Sequence, residues 1–196
     1  MPRIDAPTVA EHHARQRRAL LDAARALLAE TEDVPSMAAV GARAKLARTS
    51  VYQYFASADE LLAAVVADVF PDWSGQVRAR VAAEQTPALR VWAYVEATVD
   101  LFSSREQVLA RTLTRVVGPE VLRGPMQEFH AGLQVPLREA LADLGESEPD
   151  PMAALVDAVI VRAAQEIGHP GAGGAPREVV LSRVRRLLGG YLGLEA

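Results

Sequence analysis

The residues of this chain best equipped for recognition chemistry lie close together. Arg43, Lys45, Arg48, Thr49, Ser50, Tyr52, Gln53 and Tyr54 all fall in one short stretch. A guanidinium is a fork of donors that matches two acceptors on guanine, and a carboxamide pairs with adenine in the same two-point way. Ser, Thr and Tyr hydroxyls reach phosphate oxygens. Arg43 and Lys45 suit a phosphate backbone as point charges, or they are solvated surface charges. Taken alone, the segment is either a nucleic-acid contact or an ordinary polar turn, and the elements around it must decide.

Those elements read as helices. Thr8 and Glu11 have the spacing of a capping box. The helix they open is expected to run to about Ala29, on a stripe of Leu20, Leu21, Ala24, Leu27 and Leu28. Ser36 caps a short second helix with Val40 and Ala44 on one face. A brief turn at Lys45-Leu46-Ala47 leads to a third, roughly Arg48 to Phe55, with Val51 and Phe55 inward. Ser57-Ala58-Asp59-Glu60 is another capping box. It opens a fourth helix through Leu61, Leu62, Val65, Val66 and Val69, which Pro71 is expected to end. Two short helices joined by a tight turn and packed on a longer one form a helix-turn-helix. Its second member is placed to enter a major groove.

The stretch SMAAVGARAKLARTSVYQYFASADELL, residues 36–62, resembles the signature of the TetR family of transcriptional regulators. Val40, Gly41, Ala44, Leu46, the run Arg48 to Phe55 and Asp59-Glu60-Leu61-Leu62 carry the likeness, and Arg18, Leu21, Ala23, Ala24 and Leu28 extend it to about residues 15–66. There are two departures. Lys45 stands where the family usually has Gly, at a turn position where positive φ costs a lysine about 1 kcal/mol. Ala58 stands where the family usually has a phosphate-contacting Lys. The fourth helix's N-terminal N–H groups remain for a phosphate, and Arg15, Arg17 and Arg18 sit where the family's first helix approaches DNA.

The resemblance implies an all-α protein with two domains. Residues 1–56 would be a three-helix helix-turn-helix DNA-binding domain. Residues 57–196 would be a larger helical ligand-binding and dimerisation domain, with helix 57–70 connecting the two. It further implies a homodimer on a palindromic double-stranded DNA operator, acting as a repressor that answers to a small-molecule effector. The rival expectation is an all-helical small-molecule-binding or interaction protein with weakened DNA binding, and Lys45 and Ala58 are what favour it.

The rest of the chain also reads as helical. Trp73 to Ala83, a helix capped by Thr86, Arg105 to Val117, and a stretch punctuated by Gly118-Pro119 and Gly124-Pro125 come first. Pro136 is expected to kink the helix leading to Leu144. Glu146 to Pro151 reads as an acidic linker. Trp92, Glu96, Phe102, Arg111, Met126, Phe129 and His130 either line a ligand pocket or pack as core and surface; Trp73, Tyr94, Asp100 and Arg115 share that ambiguity. Met152 to Ile167 and Glu178 to Leu192 are apolar over broad faces, too wide for helices covering one side of a small core. Leu155, Val156, Val159, Ala163, Val184, Leu187, Leu188 and Tyr191 are therefore read as the seam of a two-fold four-helix bundle, the alternative being that both helices bury their faces within one subunit.

Enzyme chemistry finds no foothold. His12 and His13 are adjacent, His130 and His169 are isolated, and no metalloprotease, nucleophile-elbow or P-loop motif occurs. Gly171-Ala172-Gly173-Gly174 reads as a flexible loop. No catalytic residue, metal or cofactor is expected. The chain has no cysteine, so disulfides are excluded. Half its residues are apolar and few are aromatic, and Ala and Leu favour helix. Met1 to Leu28 lacks the apolar region of a signal peptide, and charges interrupt each apolar run before membrane-span length. A cytoplasmic protein is expected. The net charge is −4, but residues 1–55 carry eight Arg/Lys against six Asp/Glu. The basic excess therefore sits at the front.

Overall fold

The computed structural model describes residues 9–103, 105–167 and 173–194. Among them are nine helices and no strand: α1 (Val9–Thr31), α2 (Met37–Arg43), α3 (Arg48–Val51), α4 (Ala58–Ala82), α5 (Pro87–Ser103), α6 (Arg105–Val116), α7 (Pro119–Leu144), α8 (Pro149–Ile167) and α9 (Arg177–Leu192). No helix among the described residues is long and apolar enough to cross a membrane. The Thr8 cap, His169 and the first residues of the glycine loop, Gly171 and Ala172, lie outside the described residues. The chain packs as two units. One holds the residues up to Asp68 together with Leu109–Leu122; the other holds Val69–Val108 and the residues from Arg123 onward.

In the first unit, α1 buries Leu20, Leu21, Ala24 and Leu28, a repeat of three to four residues that makes one helical face. Met37 and Val40 of α2, Val51 of α3, Phe55, and Leu61, Leu62, Val65 and Val66 of α4 are buried as well. The caps read at Ser36 and Ser57 form as expected. Ser36 Oγ accepts from the Ala39 N–H at 3.1 Å. Ser57 Oγ accepts from the Glu60 N–H at 3.1 Å, and the Glu60 carboxylate turns back to the N–H of Ala56 at 2.6 Å, one residue before the cap.

Proline misled the reading of α4. Pro71 lies inside the helix, and Trp73–Ala83, expected as a separate element, is its continuation. An internal proline costs about 3 kcal/mol through its lost N–H and its clash with the preceding turn. Continuing the helix buries Phe70, Trp73, Val77 and Val81, side chains worth about 1.5–3 kcal/mol each. Burial wins. Gly124-Pro125 likewise fails to interrupt α7, which runs through both Pro125 and Pro136. The expected linker 146–151 is shorter, because α8 already begins at Pro149.

In the second unit, α5 is buried along eight of its positions, Val91 to Val95 and Ala97 to Val99, and packs against α8 and α9. A helix covered on all sides must satisfy its polar groups internally. The Tyr94 hydroxyl donates to Asp157 Oδ1 at 2.9 Å, and Gln134 Nε2 donates to Asp157 Oδ2. Burial, with Asp157 beside it, pushes the Tyr94 phenol well above its ordinary pKa, so it stays a donor. Asp100 gathers two arginines: Arg177 through Nε and Nη2 (2.9 Å to Oδ2), and Arg80 through Nη1 at 2.9 Å.

α8 and α9 are amphipathic about their contact with α5. Val156, Ala163 and Val184 are buried within the unit. Within one chain, these three of the residues read as a seam between chains turn toward its own core. Val159 and Leu188 are half-buried. Leu155 and Leu187 are 64 % and 65 % exposed, and Val161, Val179 and Tyr191 are exposed with them.

Candidate nucleic-acid interface

The geometry of the recognition segment begins with Gly41. A Cβ there would lie 2.9 Å from the Leu46 carbonyl oxygen and 2.9 Å from Val51 Cγ2. Glycine lets α2 sit against the turn and α3 at a distance no other residue permits. The turn closes as a Schellman motif. The Lys45 N–H donates to Ala42 O at 3.2 Å and the Leu46 N–H to Gly41 O at 2.8 Å. Lys45 occupies its left-handed position with φ +59°. The positive φ expected at this departure is therefore present, carried by a residue with a Cβ.

α3 is shorter than expected. Only Arg48–Val51 is α-helical, and Tyr52 to Tyr54 continue as turns. Val51 and Phe55 are buried, as read from the sequence, and anchor the segment. That fixes the outward set: Lys45, Arg48, Thr49 and Gln53 are exposed, and Tyr52 is 45 % exposed. The Arg48 guanidinium lies over the Tyr52 ring, 5.8 Å from its centroid. This pre-orders two of the outward side chains against each other.

Three candidates are placed differently. Tyr54 turns toward α1: its hydroxyl donates to Gln16 Oε1, and its ring lies 4.5 Å from that of His13. It braces the turn against α1, and its hydroxyl is committed there. Ser50 is half-buried, and its carbonyl accepts from the N–H groups of Tyr52 and Gln53. Arg43 is clamped by Glu30 through two bonds of 2.5 and 2.6 Å, a bidentate pair that a phosphate would have to break. No local signal foretold the partners Gln16, His13 and Glu30, because they come from α1, 13 to 41 positions away.

The arginines of α1 divide in the same way. Arg18 is bonded to Asp22 and Asp68, both at 2.7 Å, and Arg25 to Asp68 at 3.2 Å. Arg17 lies 5.5 Å from the Phe55 ring centroid, and Arg15 is exposed. Ala58 is half-buried in the first turn of α4, beside Asp59 and Glu60. That turn presents carboxylates where the family's lysine would present a cation.

The expected ligand residues lie in different settings. Phe129 stacks on Phe70 at 5.2 Å and meets Trp73 edge-on at 6.1 Å. Trp92 is buried with Arg185 5.4 Å from its ring centroid. Both are core. Glu96, Phe102 and Met126 are half-buried, and His130 is exposed beside Phe129. Arg111 is exposed and belongs to the other unit. A cleft of about 210 Å³ does open in the second unit, but Trp73, Gln76, Val77, Arg80, Ala97, Asp100, Leu101 and Glu106 line it. None of the seven expected residues does.

No protein-family model matches the chain, and no curated protein matches it by sequence. Solved structures do match by fold. A protein from Mesorhizobium loti described as a TetR-family transcriptional regulator aligns with a TM-score of 0.72 at 13 % identity, covering 92 % of this chain and 96 % of that one. The superantigen PfiT aligns at 0.70 and 14 %, covering 88 % and 95 %. AibR, solved with isovaleryl coenzyme A and operator DNA, aligns at 0.63 and 17 %, covering 91 % and 96 %. The chain has the all-α fold of the TetR-type regulators.

Proposed function

We propose that this chain is a DNA-binding transcriptional regulator that reads a palindromic operator as a homodimer and releases it when a small molecule binds. The observation that carries the reading is the helix-turn-helix itself. Gly41 allows the close crossing, Val51 and Phe55 anchor the second helix, and Arg48, Thr49, Tyr52 and Gln53 face outward. Those side chains can address base edges and phosphates together. One such short segment reads few bases. Two related by a two-fold axis would read half-sites about 34–36 Å apart. The exposed apolar face of α8 and α9, with Leu155, Leu187 and Tyr191, supports a second copy docking there. AibR, with the same fold, is solved with an operator and an acyl coenzyme A. A repressor role is the form of regulation proposed.

The test is fluorescence anisotropy on DNA flanking the chain's own gene. Wild type should bind a mapped site. Tyr52→Ala and Gln53→Ala should each weaken it by about 1–3 kcal/mol, roughly 5- to 150-fold, with unchanged melting temperature. Wild-type affinity in both variants would remove the segment from the interface.

One set of observations favours a second reading, a helical ligand-binding or interaction protein that keeps the fold without gripping DNA. Arg18, Arg25 and Arg43 are paired to carboxylates, and the α4 entry carries Asp59 and Glu60 in place of a lysine. The superantigen PfiT shares the fold. Absence of binding to any flanking DNA at low salt, where phosphate contacts are strongest, would select this reading.

A further inference from the structure

We propose that the cleft between α4, α5 and the start of α6 is a binding site for a small apolar monocarboxylate, with Arg80 as its anion contact. Calling that ligand the effector rests on the regulator reading; the site itself does not. The cleft's volume, about 210 Å³, exceeds the ~150 Å³ of an engineered cavity that admits benzene, so a single substituted ring or a short branched chain fits. Its apolar wall is Trp73, Val77, Ala97 and Leu101, and its polar groups are Gln76, Arg80, Asp100 and Glu106. Several apolar surfaces with a few convergent polar groups are what small-molecule sites share.

The charge arrangement selects the ligand. Asp100 is doubly served. Arg177 takes both of its oxygens in a fork, and Arg80 adds a single bond at 2.9 Å to Oδ2. Arg80 is therefore the spare partner. If it turns to a ligand, Asp100 keeps a bidentate pair and no buried charge is stranded. A guanidinium has five donors, and Arg80 sits on the cleft wall with its side chain 47 % exposed. Trp73 lines the cleft as an apolar face; its Nε1 is buried, with no hydrogen-bond partner among the described residues. The partly exposed Arg80 guanidinium calls for an acceptor oxygen. A second carboxylate on the ligand would add to the two carboxylates, Asp100 and Glu106, that already line the cleft beside one arginine, so dicarboxylates are disfavoured. A cationic ligand would compete with two arginines already seated on Asp100.

The two tryptophans of the chain are Trp73 and Trp92. In a Trp92→Phe background, Trp73 alone reports on the cleft by fluorescence. Benzoate should give a saturable change. Benzyl alcohol, of the same size without the charge, should bind at least tenfold more weakly, and succinate should give none. Adding Arg80→Gln should weaken benzoate at least tenfold and leave benzyl alcohol unmoved, with the helical circular-dichroism spectrum retained. No saturable response to benzoate, or equal benzoate affinity with and without Arg80, would overturn the proposal. Should Trp92→Phe fail to fold, calorimetric titration of wild type and Arg80→Gln reads the same contrast. No DNA enters these measurements, so their failure is distinct from a failure of operator binding.

Discussion

At Lys45 a cation and a backbone conformation compete for one position. The αL conformation of the Schellman turn suits glycine, and φ +59° charges a lysine for its Cβ. Lys45→Gly should therefore stabilise the fold by about 1 kcal/mol, raising the melting temperature by about 2–4 °C. Gly41→Ala should act in the opposite direction, because its new Cβ meets Leu46 O and Val51 Cγ2 at 2.9 Å. Overpacking of this kind costs about 1–3 kcal/mol. Thermal melting of both variants checks the pair, and a destabilised Lys45→Gly would show that the lysine makes a contact worth more than its strain. Ala58 supplies a second test. Ala58→Lys should tighten binding to any DNA and steepen its salt dependence by about one released counterion per site, without changing sequence preference. An unchanged slope would place position 58 away from the backbone.

Ion pairs between elements are where the second unit answers to pH. Burial pushes the Asp100 carboxyl upward, but hydrogen bonds from Arg177 and Arg80 more than offset it and leave it below its ordinary value of 3.8. A depressed folded pKa means the pairing stabilises fully above the unfolded value and is lost as pH falls through the folded one. Asp100→Asn should thus melt below wild type at about pH 6, and the gap should narrow as pH falls below 3.8. A gap that stays constant with pH would make Asp100 a packing residue. These pairs were invisible in the sequence, whereas the caps were not. Ser36 and Ser57 bond to N–H groups three residues on, within reach of a local pattern. Arg177 and Asp100 are 77 residues apart, and Tyr54 and Gln16 are 38. Pro71 was read too strongly, because local propensity knows nothing of the burial of Phe70 and Trp73 around it. The breadth of the apolar faces of α8 and α9 was legible; which half each helix spends on α5 was not.

For the whole molecule the question is the second copy. Leu187 is 65 % exposed, so a glutamate there costs the isolated chain little. In a seam between chains the same carboxylate would be buried without a partner, which costs several kcal/mol. Leu187→Glu should therefore convert a dimer into folded monomers at micromolar concentration, as read by sedimentation equilibrium alongside circular dichroism. A wild-type chain that is already monomeric would remove the dimer from the proposal. A dimeric Leu187→Glu would move the seam to another face. Operator affinity should fall with the dimer, because the two recognition segments would no longer be held on one palindrome.

Lys45 has one more consequence. It is the only lysine in the sequence, and it is exposed on the turn that leads into α3. Apart from the α-amino group, every primary amine of this protein is therefore at the proposed DNA surface. An acylating reagent at high pH then meets two amines, the α-amino group and Lys45, and peptide mapping tells them apart. The mass added at Lys45 would report directly on occupancy by DNA, and the same acylation would erase one positive charge from that surface while leaving every arginine pair in the molecule untouched.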